Sequence, residues 1–232
     1  DWKKHEDKIN KFSNFKTNVD GIEMHFIQEK GSGSNSQPLL ITHGWPGSIF
    51  ESLHIINKLA HPEKFGGKEE DAFDVIVPSL PGFGFSGRPS RPIGPRKMAE
   101  ILNKLMINSL GYENYIAHGG DWGATISNWI AYDYSKNCKG IHINFLSMRL
   151  PEGPQNKDEE KWQEEFTKGQ EMEEGYRTQQ ATRPQTLSYG MMDSPVGVAA
   201  WIIEKIYSWS DLENNNIESV YSKDILLANV MV

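Results

Sequence analysis

His118-Gly119-Gly120-Asp121-Trp122-Gly123 is the stretch whose reading decides the fold of this 232-residue chain. A short apolar run, Tyr115-Ile116-Ala117, precedes it, and a run with helical spacing from Ala124 to Ala131 follows. The pattern is a strand, a sharp turn and a helix, with a carboxylate at the apex. Small residues on both sides of the apex suit a strained turn, where a larger side chain would not fit. The plain alternative is an ordinary strand-to-helix turn with Asp121 as the helix N-cap. Two glycines before the apex and one after it favour the strained elbow.

Outward from this turn, apolar strand-like runs alternate with helical ones. Phe15 to Val19 and Ile22 to Gln28 flank Asp20-Gly21, a two-residue hairpin signal. Pro38 to Thr42 reads as a buried strand running into His43-Gly44-Trp45-Pro46-Gly47. Ser48 and Glu51 have the spacing of a capping box for a helix after that loop. Phe73 to Val77 is the next strand and leads into Pro78–Gly87. Lys97 to Leu110 has helical periodicity and stops at Gly111. Lys139 to Leu146 is strand-like. Such alternation predicts a parallel sheet with helices on both faces and its functional loops at the strand carboxyl ends.

The character changes after Leu150-Pro151. Residues 152–174 are rich in Glu, Lys and Gln, and apolar helical stretches such as Val196 to Trp209 follow. The expected organisation is a lead-in segment at 1–14, an α/β core at 15–149 and a helical cap at 150–232. The chain starts at Asp1 and ends on the apolar run Leu227–Val232, so both ends read as cut.

Composition narrows the function classes. A net charge of −7 argues against nucleic-acid binding, which favours a basic face. One cysteine, Cys138, excludes an internal disulfide and any paired-cysteine metal site. It also favours a reducing compartment, and the cytoplasm is the expected location. No apolar run has the roughly 18–20 residues of a membrane span. No metal or organic cofactor is expected, and a homo-oligomer is compatible with the sequence.

Two further loops bear on chemistry. His43-Gly44-Trp45-Pro46-Gly47 directly follows a strand, where a backbone N–H can contribute to an oxyanion hole; the residue after the nucleophile supplies the second. Those amides would be Trp45 and Trp122. His43 stands before the oxyanion residue, which suggests a structural role. Gly82-Phe-Gly-Phe-Ser-Gly87 matches a dinucleotide fingerprint by letter, but it runs into Arg88-Pro89-Ser90-Arg91-Pro92 and cannot open a helix, so a nucleotide site is rejected. An Asp nucleophile makes an alkyl ester by attacking saturated carbon, which points to epoxides or alkyl halides.

The chain resembles the microsomal-type epoxide hydrolases of the α/β-hydrolase fold. The matching stretches are Trp2-Lys-Lys-His-Glu, His43–Gly47, Gly82-Phe-Gly-Phe-Ser, Gly119-Gly-Asp-Trp-Gly, Gly175-Tyr-Arg-Thr-Gln-Gln-Ala-Thr-Arg-Pro184 and Asp193–Lys205. The resemblance implies a mostly parallel sheet flanked by helices, an inserted helical cap, and the last core strands missing from this chain. It implies conversion of epoxides to vicinal diols with water, as in xenobiotic detoxification, with Asp121 as nucleophile. Tyr176 is carried over as one of two cap tyrosines that hold the epoxide oxygen. The base His, its acid partner and the second tyrosine have no counterpart here, so a missing C-terminal portion would complete the site. Microsomal members carry an N-terminal membrane anchor, and the sequence leaves membrane attachment of this protein open. A haloalkane dehalogenase with the same Asp is the rival enzyme, and a truncated, non-catalytic hydrolase-fold protein is the other alternative. Tyr189, Tyr207 and Tyr221 are read as packing residues, and His142 as structural.

Overall fold

The computed structural model describes residues 1–146 and 151–232, with residues 171 and 172 described by backbone alone. The chain forms two compact units: residues 1–146 with 220–232, and residues 147–219. The first contains α1 (Trp2–Ile9), β1 (Asn14–Val19), β2 (Ile22–Glu29), β3 (Gln37–Thr42), α2 (Ile56–Ala60), β4 (Phe73–Pro78), α3 (Pro95–Lys104), β5 (Tyr115–Gly119), α4 (Trp122–Asp133) and β6 (Cys138–Ile143). Its strands make one six-stranded sheet in the order β1-β2-β4-β3-β5-β6. β1 and β2 pair antiparallel, as do β2 and β4, while β4, β3, β5 and β6 run parallel. The parallel part is the sheet expected from the alternation, and the whole is the mostly parallel sheet that the resemblance to the α/β-hydrolase fold implies.

Period-two alternation splits the strand residues between two cores. Met24, Phe26, Leu40, Ile76, Tyr115 and Ala117 face one cluster, closed by Ala99, Ile101, Leu102 and Leu105 and by Ile126 and Ile130 of α4. Ile27, Leu39, Ile41, Val75 and Val77 face the other, closed by Ile9 of α1 and Ile56 and Ala60 of α2. Each buried Ile, Leu or Val side chain contributes about 1.5–3 kcal/mol relative to exposure, so this two-sided burial fixes strand register against a one-residue slip.

Several expectations shift in detail. The lead-in at 1–14 contains a capped helix: Asp1 accepts from the Lys3 N–H at 3.1 Å, and His5 and Ile9 are buried. The helix expected up to Leu110 is α-helical only to Lys104 and then widens into a π-turn, Leu105–Ser109, which keeps Leu105 and Met106 in the core. The strand expected at 139–146 is β6, whose residues past Cys138 are largely exposed because it lies at the end of the strand order.

The second unit is helical: α5 (Lys157–Glu173), α6 (Gly175–Thr182), α7 (Pro184–Asp193) and α8 (Pro195–Ser208). Asn156 caps α5 by accepting from the N–H groups of Asp158 and Glu159. Ser194 caps α8 through Gly197 N–H, with Pro195 in the first turn. The expected boundary at 149/150 lies outside the described residues. The expected cap, 150–232, runs past this unit: α9 (Lys223–Met231) belongs with the first one, where Leu226 and Ala228 are buried. An apolar helix carries no mark of which core will take it, so the sequence left 220–232 with its neighbours. Tyr189 and Tyr207, expected to pack, are exposed.

Candidate active site

The elbow sits where β5 meets α4. Asp121 has φ 48° and ψ −124°, a conformation that L-residues hold only when their surroundings impose it, at a cost of about 1–3 kcal/mol. Close packing imposes it here. A Cβ on Gly119 would run into the backbone of Gly123, and one on Gly123 would run into the Thr42 carbonyl at the end of β3. Thr42 fastens the same junction, its hydroxyl donating to the carbonyls of His118 at 3.0 Å and Gly123 at 3.2 Å. Asp121 is therefore lifted to the carboxyl edge of the sheet with its side chain exposed. The N-cap alternative does not hold, since the Asp121 side chain makes no capping hydrogen bond.

The loop after β3 meets it there. The Trp45 N–H donates to Asp121 Oδ1 at 2.8 Å, and Gly44 lies so close to the carboxylate that any side chain would displace it. One carboxylate oxygen is thus held by a backbone donor, and among the described residues no hydrogen bond to Oδ2 is found. Trp122 begins α4, so its N–H belongs to the first turn, which has no intrahelical acceptor. Its indole is exposed. Trp45 and Trp122 thus flank Asp121 from two different elements.

The loop carrying Trp45 is braced from below and from α9. His43 is buried, with Nδ1 3.0 Å from the Gly44 carbonyl and Nε2 accepting the Leu80 N–H at 3.2 Å. That fixes the tautomer with the proton on Nδ1. Burial pushes its pKa down to about 4. Both ring nitrogens are engaged, so His43 supports the loop and is no base. The Asn229 side chain of α9 donates to the Pro46 carbonyl at 2.8 Å and accepts from the Ser48 hydroxyl at 2.7 Å. The peptide bond between Trp45 and Pro46 is cis.

Ser48 and Glu51 do not form the expected box. Ser48 accepts from the Phe50 N–H at 3.3 Å and caps one 3-10 turn, Ile49–Glu51. Glu51 instead turns its carboxyl onto Gly47. The residue is exposed overall, yet protein lies close around its carboxyl. That crowding, together with the Asp121 charge, raises its pKa to about 7. Sequence reasoning did not foresee this placing of Glu51 against Gly47. The available signal was one acidic side chain in the mostly apolar stretch Ile49–Leu53, four residues past the Trp45 loop.

His142 Nδ1 lies 2.8 Å from His118 Nδ1, one ring donating to the other across β5 and β6. Gly82-Phe-Gly-Phe-Ser-Gly87 is a closed loop, tied by Gly82 N–H to the Gly87 carbonyl at 3.0 Å and by Gly87 N–H to the Glu23 carbonyl at 2.7 Å. No helix opens from it; α3 starts only at Pro95. Among the described residues no group of three or more His, Cys, Asp or Glu is arranged to hold a metal ion. No helix among them is long and apolar enough to cross a membrane.

Tyr176 belongs to the helical unit, as the second residue of α6. It lines a cavity with Leu187, Trp201 and Lys205. Its ring meets Trp209 edge-on at 5.0 Å between centroids, with the Lys205 ammonium 5.5 Å from the ring centre. Lys205 is buried and paired with Glu173 at 3.0 Å and Glu204 at 2.6 Å, which ties α8 to α5.

A mostly parallel sheet with a strained carboxylate elbow and a facing backbone donor has the layout of a hydrolase scaffold. Residues 37–169 match the family model for the alpha/beta hydrolase fold, and the chain belongs to that family. Residues 1–52 match the model for the epoxide hydrolase N terminus. The chain is 36% identical to epoxide hydrolase 1 of Oryctolagus cuniculus over all of its own length and 57% of the relative's. Juvenile hormone epoxide hydrolase from the silkworm Bombyx mori superposes with a TM-score of 0.80 at 32% identity, over 99% of this chain and 56% of that one. Aspergillus niger epoxide hydrolase gives 0.82 at 28% identity, over 99% and 60%. The chain spans about half the length of the curated relatives it matches.

Proposed function

We propose that the whole protein hydrolyses epoxides to vicinal diols through an alkyl ester at Asp121. The observation that carries this reading is the strained Asp121 carboxylate with one oxygen on the Trp45 N–H. The relatives' names support the substrate class. In the first step Oδ2 forms a bond to a ring carbon, the ring C–O bond breaks, and the released oxygen takes up a proton. Tyr176, with a second tyrosine supplied by the rest of the protein, is the proposed donor to that oxygen, since an alkoxide leaves poorly without one. In the second step water adds to the ester carbonyl. The resulting oxyanion forms on Oδ1, already seated on the Trp45 N–H, with the Trp122 N–H as its second donor. Collapse releases the diol and restores the carboxylate. A His base and its acid partner, expected in the remainder of the protein, activate the water.

The test is a single turnover of the full-length protein with styrene oxide in ¹⁸O-water. The expected result is ¹⁸O in the peptide bearing Asp121 and an unlabelled first-turnover diol, with both ester and diol lost in Asp121→Asn. Direct appearance of ¹⁸O in the first diol, with unlabelled protein, overturns the ester route. Halide release from a chloroalkane without diol from the epoxide moves the assignment to a dehalogenase.

A further inference from the structure

We propose that Lys205 is a positioning residue that holds the Tyr176 ring for the proton donation that opens the epoxide. The inference rests on the reading of Tyr176 as that donor and adds the groups that aim it. All of them lie within the helical unit. Glu173 closes α5, and Tyr176 follows three residues later at the start of α6. From the C-terminal end of α8 three donors converge on Glu173 Oε2. They are the Lys205 ammonium at 3.0 Å, the Ser208 hydroxyl at 3.2 Å and the Trp209 indole N–H at 3.2 Å. Two of these donors also meet the tyrosine. Lys205 Nζ lies 5.5 Å from the centre of the Tyr176 ring, and the Trp209 ring stands edge-on to it with 63° between the planes. Tyr176 and Lys205 together line a cavity of about 640 Å³, with Leu187 and Trp201 on its wall. The ring is therefore gripped beside a space that can take a small molecule.

Helix packing does not by itself call for an ammonium here. Lys205 is 6% exposed, and its pairing with Glu173 and Glu204 does little more than offset the loss of water around it. An apolar side chain of similar length would fill the same space. What the cation alone supplies is attraction to the face of an aromatic ring, and that attraction strengthens away from water. Glu173 and Glu204 hold the ammonium from two sides at 3.0 Å and 2.6 Å, which keeps it at the ring. The same two carboxylates offset its charge, so its effect on the phenol is one of direction and not of acidity. Trp209 adds an edge contact that sets the rotation of that ring. A phenol donates along a single O–H, and the epoxide oxygen takes the proton as its bond to carbon breaks. A ring held in one orientation therefore speeds ester formation and does little for ester hydrolysis.

The experiment is a double-mutant cycle on the full-length protein with styrene oxide, reading ester formation and ester decay separately by rapid quench and intact-protein mass. Lys205→Met is expected to slow ester formation at saturating epoxide about 10-fold, the scale of lost positioning. Ester decay and the half-saturating epoxide concentration should each change less than about threefold. In a Tyr176→Phe background the same substitution should cost less than about twofold, because the group that Lys205 aims is gone. Equal losses in the two backgrounds overturn the proposal, as does an unchanged ester-formation rate in Lys205→Met. Should Lys205→Met fail to fold, Glu173→Gln takes its place in the cycle, loosening Lys205 at a partly exposed carboxylate. A fall in ester formation that Tyr176→Phe erases supports the proposal, and no fall overturns it. Undiminished ester formation in Tyr176→Phe alone removes instead the reading of Tyr176 as the donor.

Discussion

Asp121 keeps its strained backbone because the residues around it have no slack. Gly123 is the tightest of them, seated against the Thr42 carbonyl. Gly123→Ala should destabilise the protein by about 2–3 kcal/mol through forced overpacking and should weaken ester formation by shifting Asp121. Urea unfolding measures the first effect, and a loss under about 0.5 kcal/mol would show that the junction can yield. Two buried imidazoles make a second prediction at this scale. Burial lowers His43 and His25 to about 4 each, Lys16 adding to the effect at His25. Unfolded histidine titrates near 6.5, so below that pH the unfolded chain binds protons that the folded chain refuses. Stability is therefore full above about pH 6.5 and is lost as pH falls toward 4, on the order of 2 kcal/mol per imidazole at pH 5. Urea midpoints at pH 7 and pH 5 read the slope, and His43→Gln should flatten part of it; an unchanged slope would mean that His43 is not held neutral.

At the scale of elements, the site is a meeting of three: the β5–α4 elbow, the loop after β3, and α9. The first two are neighbours through the β3–β5 pairing, which sets Thr42 beside Gly119. The third reaches the loop through Asn229, on Pro46 and Ser48. Asn229→Ala should cost about 1–2 kcal/mol, because a buried hydroxyl and a carbonyl lose partners, and should slow ester formation more than it slows ester decay. Denaturant unfolding and the rapid-quench rates measure both, and an unaltered ester-formation rate would mean that the loop holds its shape without α9. The elbow and the loop were legible from sequence because each is a local pattern: glycines within two or three residues of a functional group at the end of an apolar run. α9 was not legible as part of the core. Its contacts lie about 180 residues away in the chain, and no short-range pattern encodes them. Glu51 was visible but misassigned, since spacing from Ser48 suits a capping box whether or not the side chain turns back.

Across the molecule, hydrophobic periodicity determined the sheet, the order of its elements and the helical character of 152–209, because burial of alternate residues is written in the sequence itself. Sequence also determined that an acid stands at the elbow and which backbone amides flank it, since glycine placement and an acid at a strand end are local chemistry. Tertiary structure alone decided that Trp45 N–H grips Oδ1, that His43 is a brace, and that the Asp121 charge acts on Glu51. Those facts depend on distances between segments brought together by packing. Which groups crowd a carboxyl, and which charge sits beside it, is set only when the chain has closed.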